Sequence, residues 1–247
     1  MTKVIVCGAS GRMGKTVVSA IMGGFGDTEL ATAVDVVLPI CDCPCYTELS
    51  AVKEDADVII DFSHHSATNS LLEYAKSRKL PLIIATTGQT EEEKEAIKKA
   101  SEEIPIFFSG NMSIGIALLV SLVKQTVKIF PDANVEIVET HHNQKVDVPS
   151  GTALMIAEGV REAKGEGRFV VGRHENGKRA DDEIGIHSLR LGNVIGEHEV
   201  IIDTGSQTLK LTHTSHSRAL FAEGALTAVP FITAQKNGLF SVSDMLS

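Results

Sequence analysis

The stretch Lys3-Val4-Ile5-Val6-Cys7-Gly8-Ala9-Ser10-Gly11-Arg12-Met13-Gly14 decides the fold of the first half of the chain. An apolar run of strand length meets a glycine-rich turn, and Met13–Met22 follows with helical periodicity. Glycine lets the backbone turn tightly and come close to a diphosphate. The helix start adds amide donors and the positive end of a dipole. The spacing is GxxGxxG, a variant of the commoner GxGxxG. Asp35 closes the next strand candidate, Leu30–Val34, about twenty positions beyond Gly14. A dinucleotide-binding sheet sets a carboxylate there to hold ribose hydroxyls. Val36 and Val37 follow with no cation for a 2′-phosphate, so NADH is expected over NADPH, with Arg12 and Lys15 near enough to permit some NADPH use.

Working outward, strands Asp57–Asp61, Leu80–Ala85 and Ile104–Phe108 alternate with helices His65–Ser77 and Glu91–Ser101. Continuous apolar runs such as Val58-Ile59-Ile60 fit parallel strands covered on both faces. The repeated order predicts an α/β fold with a Rossmann-like, doubly wound parallel sheet. Ala85-Thr86-Thr87 and Ser109-Gly110-Asn111-Met112 fall at carboxyl ends of strands, the edge where such sheets bind ligands.

After Gly110 the pattern changes. Helices Ser113–Phe130 and Gly151–Ala163 mix with strands Val135–Thr140, Ile184–Leu191, Glu197–Asp203 and Thr208–His213. This predicts a second, α+β domain with an open mixed sheet. Residues 165–183, rich in Gly and charge, read as a mobile loop. Arg218–Thr233 is helical again and is expected to return to the first domain. The expected division is 1–112 plus 218–247 for the dinucleotide, and 113–217 for substrate and oligomerisation.

Composition narrows the partners. The chain has 247 residues, 43% hydrophobic, with 23 Lys+Arg against 32 Asp+Glu and a net charge of −9. Nucleic-acid binding needs cations on phosphates, and zero Trp with two Tyr leaves few stacking platforms, so no nucleic-acid partner is expected. The longest apolar run, Ile114–Val123, is too short to span a bilayer. The apolar start Val4–Cys7 runs at once into Arg12 and Lys15, which reads as a buried strand rather than an export leader.

Two clusters carry chemistry. Glu139-Thr140-His141-His142-Asn143-Gln144-Lys145-Val146-Asp147-Val148-Pro149-Ser150-Gly151-Thr152-Ala153-Leu154 places two histidines and a lysine at a strand end. Ser150 is a natural cap for the helix that follows, whose first amides would join the cations as a carboxylate clamp. Histidine is also the usual proton donor near neutral pH. The adjacent side chains of His141 and His142 rarely converge on one metal, so no metal is expected there. The second cluster is Cys41-Asp42-Cys43-Pro44-Cys45. It lacks a nearby fourth ligand and reads as a surface loop before a metal or redox site, while Cys7 reads as a small core hydrophobe.

With these residues in view, the chain resembles the 4-hydroxy-tetrahydrodipicolinate (dihydrodipicolinate) reductases of lysine and diaminopimelate biosynthesis. The resemblance runs nearly end to end. It rests on Gly8–Gly14, Ala85–Gly88, Asn111–Gly115, Glu139–Leu154, Gly196-Glu197-His198 and Ser217–Leu226. The resemblance implies catalysis by His141 and Lys145. It implies substrate carboxylates on His142, Gly151 and Thr152. The cofactor would lie on Gly8, Ala9, Ser10, Gly11, Arg12, Met13, Asp35, Ala85, Thr86, Thr87, Ser109, Gly110, Asn111 and Met112. It further implies a cytoplasmic homotetramer acting on a small dicarboxylate with NADH or NADPH and no metal. Met112 and Val148 stand where the family often has Phe and Ala. Other nicotinamide-dependent oxidoreductases share the glycine turn, and a non-catalytic NADH sensor would too. Neither requires His141-His142-x-x-Lys145 ahead of Ser150-Gly151-Thr152.

Overall fold

The structure is a computed structural model and describes residues 1–246. The chain begins β1 (Thr2–Cys7), α1 (Arg12–Met22), β2 (Thr28–Val34), β3 (Cys45–Tyr46), β4 (Val58–Asp61), α2 (Thr68–Arg78), β5 (Leu82–Ile84), α3 (Glu91–Ala100) and β6 (Pro105–Phe108). It continues α4 (Ile114–Ile129), β7 (Asn134–His141), α5 (Gly151–Lys164), β8 (Arg168–Val171), β9 (Glu183–Arg190), β10 (Gly196–Asp203) and β11 (Thr208–Ser215). It ends with α6 (Ala219–Thr233) and β12 (Gly238–Phe240). Two compact units result: Met1–Ser113 with the chain from Arg218 onward, and Ile114–Ser217.

The first unit is a seven-stranded parallel sheet ordered β12-β6-β5-β4-β1-β2-β3. Successive strand side chains point to opposite faces. Ile5 and Cys7 of β1, with Ile59, Leu82, Ile84 and Ile106, pack against Leu71, Leu72 and Ala75 of α2 and Ile97 of α3. α1 and α6 pack against each other on this unit, and α6 lies against β5 and β6. Each fully buried Ile or Leu side chain contributes roughly 1.5–3 kcal/mol. α3 starts on a capping box, Thr90 with Glu93, and carries acids in its first turn and lysines in its last, which suits the helix dipole. Strand order reverses at β1, between β2 and β4, so the ligand-binding crevice belongs at the carboxyl ends of these strands.

The second unit is a five-stranded sheet ordered β11-β10-β7-β9-β8. β8, β9 and β7 run parallel, and β10 runs antiparallel to both β7 and β11. One face packs on α4 and α5 through Val123, Val127, Ile156 and Val160 against Val135, Ile137, Ile184, Val200 and Ile202. α5 is capped by the Ser150 hydroxyl, which accepts from the Ala153 amide at 3.1 Å, and it ends at Gly165 with φ +81°.

Three expectations need correction. The sheet of the first unit has seven strands, not five, because β3 and β12 are two- and three-residue edge strands. Residues 165–183 are not a single loop, since Arg168–Val171 forms the edge strand β8, held to β9 by Arg168 donating to Glu183 at 3.0 Å. The helix expected from His65 opens with a 3-10 turn, and the α-helix proper starts at Thr68.

Candidate functional site

In the first unit the turn after β1 is built for close backbone approach. Gly8 has φ +74°, and a Cβ there would lie 2.4 Å from the Phe62 carbonyl oxygen. A Cβ on Gly14 would lie 2.0 Å from the Gly8 carbonyl oxygen. Gly11 caps α1 with no side chain to receive its first amides, which leaves that helix end suited to an anion. Asp35 follows β2, and its Oδ2 accepts from the Ser10 amide at 2.9 Å. Ser10 Oγ returns a bond to the Val37 carbonyl at 2.7 Å. A cavity of about 1020 Å³ opens here, lined by Gly8, Gly11, Asp35, Ser63, His64 and Tyr74 among others. That volume is at the upper end for ligand pockets. The helix end without a side-chain cap, the glycine cradle and the acid together fit a dinucleotide.

The other predicted cofactor residues sit further along the same edge. Ala85–Thr87 follow β5, and Thr86 Oγ1 donates to Asp61 Oδ2 at 2.6 Å. Asp61 also accepts from the Ser63 amide and hydroxyl. Its burial raises its pKa from the ordinary value, and the bonds from Ser63 and Thr86 only partly offset this. Ser109–Met112 follow β6, with Ser109 Oγ donating to the Asn111 carbonyl at 2.8 Å. Met112 is buried, and its carbonyl oxygen sits where a Cβ on Gly224 of α6 would come within 1.8 Å. Arg12 is exposed and Met13 half-buried at the start of α1.

The second unit carries a buried polar cluster on the helix-facing side of its sheet. Along β7 the buried residues are Val135, Ile137, Glu139 and His141, so the apolar face becomes ionisable at its carboxyl end. Glu139 Oε2 lies 2.5 Å from His141 Nδ1. Arg190 of β9 donates to both Glu139 oxygens at 3.0 Å, and its Nη2 also donates to the Asp147 carbonyl at 2.7 Å. The Ser150 amide donates to Glu139 Oε1 at 3.2 Å. His198 of β10 stands opposite Glu139 in register, its ring 5.2 Å from that of His141 and edge-on to it. His198 Nε2 lies 3.3 Å from Ser150 Oγ.

Burial works to raise the Glu139 pKa, but hydrogen bonds from Arg190, Ser188 and His141 win and hold it low. His141 is pushed down from 6.5, mainly by burial and further by Lys145 and Arg190, against the pull of Glu139. His198 is pushed down to about 4 by burial, with His141 adding repulsion. Lys145 lies on the loop after β7, and its Nζ pairs with Asp147 Oδ1 at 2.8 Å. His142 is half-buried, and Gly151 is exposed at the start of α5 with open space where a Cβ would go.

The cluster therefore brings His141 to the capped helix start, with Lys145 on the connecting loop. Sequence reasoning passed over the roles of Glu139, Arg190 and Asp61. Glu139 had a readable signal: an acid two residues before His141, in phase with core residues Val135 and Ile137, had to be paired. Arg190 had none, because its pairing with Glu139 depends on the β7–β9 register.

A parallel sheet with a glycine turn and acid at its switch point, and a second mixed sheet with a buried carboxylate–histidine pair, define a two-unit dinucleotide-dependent oxidoreductase. The particular family follows from comparison with known proteins. Residues 2–112 match the family model described as dihydrodipicolinate reductase, N-terminus, and residues 115–246 match that for the C-terminus. The chain belongs to this family. It is 44% identical over 248 residues to the 4-hydroxy-tetrahydrodipicolinate reductase of Caldanaerobacter subterraneus subsp. tengcongensis, covering 100% of this chain and 98% of that protein. It is 38% identical to that of Clostridium tetani with the same coverage. In fold it is similar to dipicolinate-bound dihydrodipicolinate reductase from Paenisporosarcina sp. TG-14, with TM-score 0.84, 24% identity, and 98% and 97% of the two chains covered.

Proposed function

We propose that this chain reduces 4-hydroxy-tetrahydrodipicolinate to tetrahydrodipicolinate in lysine and diaminopimelate biosynthesis. The observation that carries the reading is His141, oriented by Glu139 beside the Ser150-capped start of α5, with Lys145 on the same loop. Net, the ring loses its 4-hydroxyl as water and gains one hydride and one proton across a double bond. NADH supplies the hydride when bound, held by Gly8–Met13, Asp35, Ala85–Thr87 and Ser109–Met112. Asp35, followed by exposed Val36 and Val37, supports NADH as the preferred donor and NADPH as the lesser one.

The chain's own residues supply orientation and the proton. His142, Gly151 and Thr152 hold the substrate carboxylates at the helix start. The Paenisporosarcina protein was solved with dipicolinate, a planar dicarboxylate, which supports the same ligand class here. His141 and Lys145 are the proton donors. Burial keeps His141 neutral in the free chain at neutral pH. A bound dianion raises its proton affinity, so a proton is taken up with the substrate. The family reading also includes a homotetramer built through the β11-β10-β7-β9-β8 sheet and a cytoplasmic location. No helix among the described residues is long and apolar enough to cross a membrane.

The test is NADH oxidation with substrate generated from pyruvate and aspartate semialdehyde by the upstream synthase, repeated with NADPH. Turnover faster with NADH is expected. NADH binding without consumption would replace the enzyme by a sensor.

A further inference from the structure

Cys41, Cys43 and Cys45 lie on the loop that leaves β2 after Asp35 and returns as β3. The return is pinned to β2: the Ala33 amide donates to the Pro44 carbonyl at 3.1 Å, Thr32 Oγ1 donates to the same oxygen at 2.6 Å, and the Asp35 amide donates to the Tyr46 carbonyl at 3.2 Å. This fold of the loop brings the three sulfurs together. Cys41 Sγ is 3.2 Å from both Cys43 Sγ and Cys45 Sγ, and all three lie within 4.8 Å of one another.

Core packing does not explain the convergence. Cys7 belongs to the main apolar cluster, whereas these three are half-exposed and belong to neither cluster. A disulfide would explain two sulfurs and leave the third without a reason to be there. We propose that Cys41, Cys43 and Cys45 form a trithiolate site for one thiophilic d10 cation, with zinc(II) as the natural class and cadmium(II) as the probe.

Metal–sulfur bonds of about 2.3 Å place three sulfurs roughly 3.8 Å apart, so the two short pairs open by about half an ångström. The missing fourth protein ligand argues against a closed structural zinc, but a three-thiolate set with one open position for water satisfies the same chemistry. Loading writes as M²⁺ + 3 RSH → M(SR)₃⁻ + 3 H⁺, with no electron transferred. Loading releases the thiol protons, so affinity rises with pH. The proposal does not depend on the assigned reaction.

The experiment uses the full chain, reduced, chelator-treated and kept anaerobic. Cadmium titration is followed by the ultraviolet thiolate-to-cadmium charge-transfer band and by proton release. The expected result is saturation at one equivalent per chain with release of up to three protons. Cys41→Ser, Cys43→Ser and Cys45→Ser each weaken binding about tenfold or more, while Cys7→Ser leaves it unchanged. In the unmutated chain, cadmium protects these three thiols from alkylation, a readout that needs no variant to fold. Chain isolated with zinc present retains one zinc after dialysis. A band that never saturates, or one unchanged in the triple Ser variant, overturns the site. So does chain isolated without reductant that carries a disulfide between two of the three and no cation.

Discussion

Glu139 Oε2 lies 2.5 Å from Nδ1 of His141, two residues along the same buried face of β7. A carboxylate only accepts, so Nδ1 donates and Nε2 is the nitrogen left for chemistry. Arg190 locks the carboxylate from the other side through two bonds of 3.0 Å. Glu139→Gln keeps the shape but removes the charge that supports the His141 proton. NADH oxidation by this variant should fall about 10- to 100-fold in kcat/KM. Because Glu139 raises the His141 pKa and His141 acts as a proton donor, its loss should move the alkaline limb of the pH profile to lower pH. Wild-type turnover with an unmoved profile would remove Glu139 from the mechanism.

Lys145 pairs with Asp147 on the loop after β7 and makes no part of the apolar clusters. Lys145→Ala should therefore leave the fold intact and lower kcat about 10²- to 10⁴-fold, the range for loss of a positioned proton donor. NADH affinity, measured by fluorescence titration, should stay within twofold or so of the parent. Loss of NADH binding in parallel with kcat would assign Lys145 to the cofactor instead.

How far the sequence reveals this molecule depends on where each signal lives. β1, the glycine turn and α1 are legible because hydrophobic periodicity changes at Gly8, a local event. β3 and β12 are not, since two or three residues carry no period and their pairing with Ala33–Val34 and Pro105–Phe107 is long-range. β8 hides because Phe169-Val170-Val171 sits in a stretch dominated by glycine and charge, and Arg168 and Arg173 find Glu183 only once the strands pair. In the cluster, His141 and Lys145 stand out by proximity in sequence. Arg190 and His198 reach Glu139 from other strands, through registers that local pattern does not encode.

Asp35 is tied to the turn by the Ser10 amide, with only Val36 and Val37 after it. A 2′-phosphate near this carboxylate meets repulsion of about 1 kcal/mol per charge pair at contact in water. Asp35→Asn keeps the acceptor for Ser10 and removes the charge. The ratio of kcat/KM for NADPH to that for NADH should rise about tenfold. An unchanged ratio would place the 2′ position away from Asp35.

Gly14 has no room for a side chain, because a Cβ would sit 2.0 Å from the Gly8 carbonyl oxygen. Gly14→Ala forces α1 away from the turn. Unfolding free energy should fall by about 1–3 kcal/mol, as for other overpacked sites. The rise in Tm that NADH gives the parent should shrink or vanish in the variant, as scanning fluorimetry would report. A full NADH-induced rise would show that the turn tolerates a wider opening.

His198 sets an acid limit on stability. Its folded pKa is about 4, lowered mainly by burial and then by the nearby His141, against an ordinary value of 6.5. Above pH 6.5 both folded and unfolded chains hold it neutral, and it adds no pH dependence. Below that, the unfolded chain binds the proton first, so stability falls as pH drops from 6.5 and levels off only below about 4. The loss from this one group is about 2 kcal/mol between pH 7 and pH 5, from the linkage relation. His141, also lowered by burial, acts in the same direction. Urea unfolding at the two pH values measures the difference, and His198→Gln should flatten it by about that amount. An equal pH dependence in the variant would mean that other groups carry the acid sensitivity.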